Sequence, residues 1–338
     1  MLNTKIRTVA FLNNAVSVDL ALADLRKRDV DFSATVVILA RRVPLPDSDK
    51  FANVLVYPSK PSSTILGQIR FLRFYYQAAQ LLKVIGMQDA VEAIYIVNND
   101  NLIAAHLIDL AEHAQAVELN VVVEGLMNFQ DISAKNREGW RWLLKPLMAR
   151  LLGFVYRKPA GHLSGAFEDR VNRVISFSEV GLKAPPDKID VIPYPMAKTT
   201  KPTDPGTCLI ALTGLAHWMP EEKFKPFAEK FIAWLNAQGF DRVLVKRHPH
   251  VTAGYLEEIL PPHEEIGIGR SLEQMAASLE AATVIGTCCT ALVTLKLIRP
   301  DLQCIDYGAD YYCEHAYDGD RSVETLLHSA GVKIENYH

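Results

Sequence analysis

The sequence predicts an α/β protein built from two doubly wound, Rossmann-like domains with a cleft between them, and three observations predict it. Short runs dense in Val, Ile and Leu alternate with amphipathic stretches along most of the 338 residues. Apolar at nearly every position rather than every second one, such runs suit strands of a parallel sheet covered on both faces. The length exceeds one ordinary core and suits two domains of about 150 residues each. A segment rich in proline and turn residues, Ala184-Pro-Pro-Asp to Pro195 and then Lys201-Pro-Thr-Asp-Pro-Gly206, separates the two series and reads as the linker. The expected layout is a first domain over 1–195, a second over 206–310, and a tail over 311–338 that packs back across both.

The totals narrow the class. Apolar residues make up 49% and charged residues 22%, as in soluble globular proteins, and a formal net charge of −3 gives no sign of nucleic-acid binding. No run of about 18 uncharged apolar residues is long enough to span a bilayer. The five cysteines, Cys208, Cys288, Cys289, Cys304 and Cys313, form no C-x-x-C pair. With no signal-peptide pattern at Met1-Leu-Asn-Thr-Lys5, they are expected to be reduced thiols in a cytoplasm.

In the first half, strands are predicted at 7–14, 34–40, 54–57, 94–97, 121–123 and 174–177, with helices at 18–27, from a Ser63 cap to about 83, and at 102–114. Three of these strands end in polar residues: Asn13-Asn14, Asn98-Asn-Asp-Asn101 with Asn99 within it, and Glu124-Gly125. Each asparagine pair suits a helix cap as well as a ligand. Strand ends that converge on one sheet edge are where open α/β sheets bind substrates. The stretch 140–158 is Leu-rich, holds Trp140 and Trp142, and carries only basic charges. It reads either as a helix packed on its own domain or as an amphipathic helix on an anionic membrane surface.

The second half opens with a strand at 208–213 and a loop at Gly214, followed by a helix from 221 to about 238. The apolar run Val243-Leu-Val245 then ends in Lys246, Arg247 and His248, and Pro249 turns the chain out of the strand. After an acidic turn at Glu264-Glu265 and a helix at 271–281, Val284-Ile285 reads as a buried strand. It breaks at Gly286 into a helix whose first turn is expected at Thr287, Cys288, Cys289 and Thr290. Cations at one strand end and a hydroxyl-bearing helix start at another describe a phosphate site. A last strand at 303–306 and a helix at 322–329 complete the reading.

No G-x-G-x-x-G or G-x-x-x-x-G-K-[ST] occurs, which removes the main support for dinucleotide and P-loop readings. Two doubly wound domains with a cleft between them is the architecture of GT-B glycosyltransferases, and the motifs bear on which kind. Lys246-Arg-His-Pro249 resembles the K-x-H-P motif of bacterial sialyltransferases of the polysialyltransferase and lipooligosaccharide type. Val123-Glu-Gly125 resembles their D/E-D/E-G motif, with Val123 in place of the first acid. Thr287-Cys-Cys-Thr290 resembles their Ser/Thr pair, interrupted here by Cys288 and Cys289.

The resemblance implies a CMP-activated acid sugar as donor, a glycan or glycolipid hydroxyl as acceptor, and an inverting transfer with no metal or other cofactor. Glu124 would be the general base. His248 would hold the leaving phosphate, with Lys246 on the phosphate or the base and Thr287, Cys288 or Thr290 beside it. Glu273 would grip the ribose diol, or simply favour a helix first turn. Pro249, Gly214, Asn13, Asn14 and Asn99 are counted with the binding residues. The expected location is the cytoplasm, at the inner face of the membrane if 140–158 docks there. Rival readings are a Kdo or polyol-phosphate transferase of surface-polysaccharide synthesis, a nucleotide-sugar epimerase, and a non-catalytic glycan-binding or assembly subunit.

Overall fold

The structure, a computed structural model, describes residues 5–40, 43–57, 65–86, 89–114, 116–131, 140–157, 161–194, 201–213, 215, 219–247, 258–267 and 270–337. The chain divides into two compact units, Met1–Glu179 with Lys183–Pro193, and Val180–Leu182 with Tyr194–His338. Each is a parallel α/β domain, so the predicted two-domain Rossmann-like class holds.

The first unit is a seven-stranded sheet in the order β3-β2-β1-β4-β5-β6-β7. Its strands are β1 (Thr8–Leu12), β2 (Thr35–Leu39), β3 (Asn53–Val56), β4 (Ala93–Ile96), β5 (Glu118–Val122), β6 (Val171–Ser176) and β7 (Ile189–Val191). Every ladder is parallel. β1 and β2 are buried along their whole length, as strands covered on both faces must be. The helices are α1 (Ala15–Lys27), α2 (Ile65–Gly86), α3 (Leu102–His113) and α4 (Trp140–Leu152). Strand order reverses direction between β1 and β4, which makes their carboxyl ends the topological switch point.

An ionic cluster locks α1 onto this sheet. Arg173 of β6 donates to Asp24 of α1 at 2.7 Å, to Glu118 at 2.9 Å and to Asp190 of β7 at 2.6 Å. Asp24 is fully buried and also accepts from the Tyr95 hydroxyl at 2.8 Å. A carboxylate taken out of water persists only with such partners.

The second unit repeats the plan with the order β10-β9-β8-β11-β12-β13. Its strands are β8 (Asp204–Ala211), β9 (Arg242–Lys246), β10 (Glu264–Glu265), β11 (Ala281–Gly286), β12 (Gln303–Tyr307) and β13 (Lys333–Glu335). Its helices are α5 (Glu221–Ala237), α6 (Leu272–Met275), α7 (Thr290–Ile298), α8 (Ala309–Ala316) and α9 (Ser322–Ser329). Phe227 and Phe231 of α5 pack on Tyr307 at the end of β12, with ring centroids 5.7 and 5.3 Å apart. The switch point here lies between β8 and β11.

Several expectations need correction. The proline-rich linker contains β7 and the start of β8. The acidic turn Glu264-Glu265 is an edge strand beside β9. The helix predicted over 271–281 is a four-residue helix followed by a 3-10 turn, and β11 already begins at Ala281. The helix expected to start at Thr287 starts at Thr290. In the C-terminal segment, α8 and β13 are elements the sequence does not announce, and β13 pairs with β12 in the second sheet. These short pieces hold their conformation through pairing with neighbours distant in sequence, which local pattern does not record. The Ser63 cap lies outside the described residues.

Candidate active site

In the first unit, two polar strand ends meet. Leu12 ends β1, and Asn13 and Asn14 follow at the start of α1. Asn14 is the helix cap: its side-chain oxygen accepts from Ser17 N at 3.0 Å, and Ser17 returns its hydroxyl oxygen to Asn14 N at 3.1 Å. The same side chain spends its amide on the backbone oxygen of Glu124. Asn13 donates its amide to Glu124 Oε2 at 2.6 Å. The capping expected of the asparagine pair is made by Asn14, and both side chains also reach Glu124.

Glu124 is half-buried, two residues past the end of β5. Its backbone is pinned by Asn128, whose side-chain oxygen accepts from Glu124 N at 3.0 Å. Gly125 follows with φ of +151°, a value that L side chains rarely adopt, so the chain can turn directly behind the carboxylate only at glycine. Glu124 is thus held at its carboxylate by Asn13, at its backbone oxygen by Asn14 and at its backbone N–H by Asn128, and it is set at the carboxyl edge of the sheet. Asn99 does not join it. That side chain is 2% exposed and donates to Glu168 Oε1 at 2.8 Å, and Gly165 lies so close that a Cβ there would meet the Asn99 Cβ at 3.3 Å.

In the second unit the ends of β8 and β11 meet. Thr213 donates its hydroxyl to the backbone oxygen of Thr287 at 2.8 Å, and the two hydroxyl oxygens lie 3.3 Å apart. Thr287 is buried, and α7 starts three residues later behind Cys289, which brings no side-chain oxygen to cap the first turn. Between them Cys288 sits in the left-handed region, φ +52°. A non-glycine residue there needs tertiary support. Asp306 at the end of β12 supplies it, accepting from Cys288 N at 2.9 Å and from the Tyr312 hydroxyl at 2.9 Å. Complete burial pushes the Asp306 carboxyl up to about 8. The Cys288 thiol lies 3.0 Å from the Tyr317 hydroxyl, and burial raises its pKa well above the ordinary thiol value.

Lys246 ends β9 in register with Ala211 of β8, two residues before Thr213. It is half-buried and donates to Arg247 O at 3.0 Å. Burial lowers its pKa, while the nearby carboxylates of Glu265 and Glu273 favour the charged form. Glu273 accepts from the Thr294 hydroxyl of α7 at 2.8 Å, which docks the turn at α6 onto α7. Lys246, Glu273 and the start of α7 thus share one neighbourhood at the carboxyl edge of the second sheet. Thr290 is the first residue of α7. His248, Pro249 and Gly214 lie outside the described residues.

Sequence reasoning missed Asp306 and Thr213. The signal for both was present, because each is a polar residue placed where an apolar run stops, as Glu124 is. Among the described residues no group of three or more His, Cys, Asp or Glu side chains is placed to hold a metal ion. No described helix is long and apolar enough to cross a membrane.

No protein-family model matches the sequence, and no curated protein matches it in sequence. Several solved structures are similar to it. A variant of the wall teichoic acid polymerase TagF is 10% identical, with a TM-score of 0.47, over 97% of this chain and 76% of that one. Anabaena HepE in complex with UDP and glucose is 12% identical, TM-score 0.44, over 89% and 80%. The spinosyn rhamnosyltransferase SpnG with thymidine diphosphate is 12% identical, TM-score 0.42, over 97% and 86%. What this chain's own strand orders define is the class: a protein of two Rossmann-like parallel-sheet domains.

Proposed function

We propose that this chain is an inverting glycosyltransferase. It moves a sialic acid or related nonulosonic acid from a CMP-sugar donor to a hydroxyl of a capsule or lipooligosaccharide glycan. The observation that carries the reading is the Glu124 carboxylate, held by Asn13 at the carboxyl edge of the first sheet and followed by a glycine that only glycine's backbone freedom permits. The sialyltransferase-like order of Val123-Glu-Gly125, Lys246-Arg-His-Pro249 and Thr287-Cys-Cys-Thr290 supports the donor class.

In this mechanism Glu124 takes the proton of the acceptor hydroxyl. The acceptor oxygen then bonds to the anomeric carbon as the bond from that carbon to the phosphate oxygen breaks, with inversion. Negative charge grows on the departing CMP. His248 meets it, helped by Lys246 and by the first-turn N–H groups of α7 beside Thr287, Cys288 and Thr290. Glu273 binds the ribose hydroxyls through the oxygen that Thr294 does not use. A single departing phosphate is neutralised by these protein groups without a metal ion. The acceptor belongs to the first domain and the donor to the second, and the enzyme works on the cytoplasmic side of the membrane.

The test is CMP release from CMP-sialic acid in the presence of glycan acceptor. Glu124→Gln and His248→Ala are each expected to lower turnover roughly 100-fold or more. Unchanged turnover in both variants overturns the mechanism. Release from CMP-Kdo or CDP-glycerol alone reassigns the donor, and binding of glycan with no turnover of any donor makes the chain an assembly subunit.

A further inference from the structure

We propose that the joint outer face of α2 and α4 is a docking surface for a bilayer carrying anionic headgroups. Among the described residues, twelve large apolar side chains stay exposed, and eleven of them belong to the first unit. Six are Ile69, Leu72, Tyr76 and Val84 of α2 with Leu147 and Leu151 of α4, and Leu151 is 77% exposed. Ile69, Leu72 and Tyr76 follow the three- and four-residue spacing of one helix face, and Leu147 and Leu151 repeat it on the other helix. The helices are neighbours: Tyr75 of α2 meets Phe154, just past α4, edge to face at 6.0 Å.

The charges carried by these two helices have one sign. Arg70, Arg73, Lys83 and Arg150 are exposed, and no carboxylate among the described residues pairs with them. Neither the 22 residues of α2 nor the 13 of α4 include an Asp or Glu, in a chain whose formal net charge is −3. Lys145 is the exception within α4, because Asp100 already holds it. A helix face meant only for water mixes acidic with basic residues to form i,i+4 pairs. Apolar side chains bordered by cations alone suit a membrane interface. There the apolar groups enter the headgroup–acyl boundary, and the Lys and Arg stems lie along it with their charged ends on lipid phosphates.

The test of this surface uses no sugar. The full chain is sedimented with phosphatidylcholine vesicles and with vesicles of phosphatidylcholine mixed with phosphatidylglycerol. The expected result is binding to the mixed vesicles that weakens as salt is raised. Leu147→Ser/Leu151→Ser and Arg70→Glu/Arg73→Glu, all at exposed positions, should each reduce it by about tenfold or more. Two results overturn the proposal. One is equal binding by wild type and both variants, or no binding at all. The other is a wild-type dimer in light scattering that Leu147→Ser/Leu151→Ser dissociates, which assigns the face to a second copy of the chain. Loss of CMP release in any variant bears only on the catalytic reading.

Discussion

Asn13 donates its side-chain amide to Glu124 Oε2 at 2.6 Å, joining the end of the first strand to the end of the fifth across the edge of β4. The amide fixes where that carboxylate points, which a general base needs. Asn13→Ala removes the donor without touching the helix cap, which belongs to Asn14. The variant should keep its melting temperature within a few degrees and lose about tenfold in turnover. Turnover equal to wild type would detach Asn13 from the base.

Asp306 predicts how stability varies with pH. Its folded pKa is about 8, whereas in the unfolded chain it lies in the ordinary carboxylate range near 4. Between those two values the folded state holds a proton that the unfolded state has released. The Asp306 contribution is therefore fully present below about pH 4 and is lost as pH rises through 8. Urea melts at pH 5 and pH 8.5 should show Asp306→Asn gaining relative to wild type at the higher pH, by several kcal/mol at about 1.4 kcal/mol per pKa unit. An unchanged wild-type-minus-variant difference would contradict the assignment.

Arg173 should be the costliest single cation to remove. Its loss leaves Asp24, which is fully buried, with the Tyr95 hydroxyl and only the more distant Arg28 guanidinium at 4.0 Å. Breaking such a pair costs about 3–5 kcal/mol, so Arg173→Met should lower the urea midpoint sharply. Asp24→Asn in the same chain should recover part of the loss, because the orphaned charge goes with it. A double variant less stable than the single one would argue against this account.

The thiols should be inert in the folded state. Burial raises the pKa of Cys208 to about 11 and those of Cys289, Cys304 and Cys313 to about 12, and it raises Cys288 well above the ordinary thiol value. Thiolate is the reactive form. A thiol reagent at neutral pH should therefore titrate none of the five rapidly in native protein and all five in denaturant. Fast native labelling of even one would show an open state exposing it.

Much of the site was legible because each of its residues announces itself locally. A carboxylate, an asparagine or a lysine standing where an apolar run stops sits at the carboxyl end of a parallel strand, whichever strand that proves to be. The edges of elements were harder. Thr287 looks like a helix start, yet the chain first makes a left-handed turn at Cys288, held by Asp306 from the next strand over, and only then enters α7 at Thr290. β7 and β10 are three and two residues long and exist because a neighbour offers them a ladder.

By itself the sequence determined that two series of buried parallel strands would form, and which polar residues would end several of them. Those are properties of a few consecutive side chains. Only the tertiary structure decided which ends meet. Asn13 finds Glu124 across 111 positions and Thr213 finds Thr287 across 74, while Asn99, an equally polar strand end, turns inward to Glu168. The physical reason is that strand order comes from packing helices over both faces of a sheet, an energy summed over residues far apart in the chain and invisible in any one stretch of it.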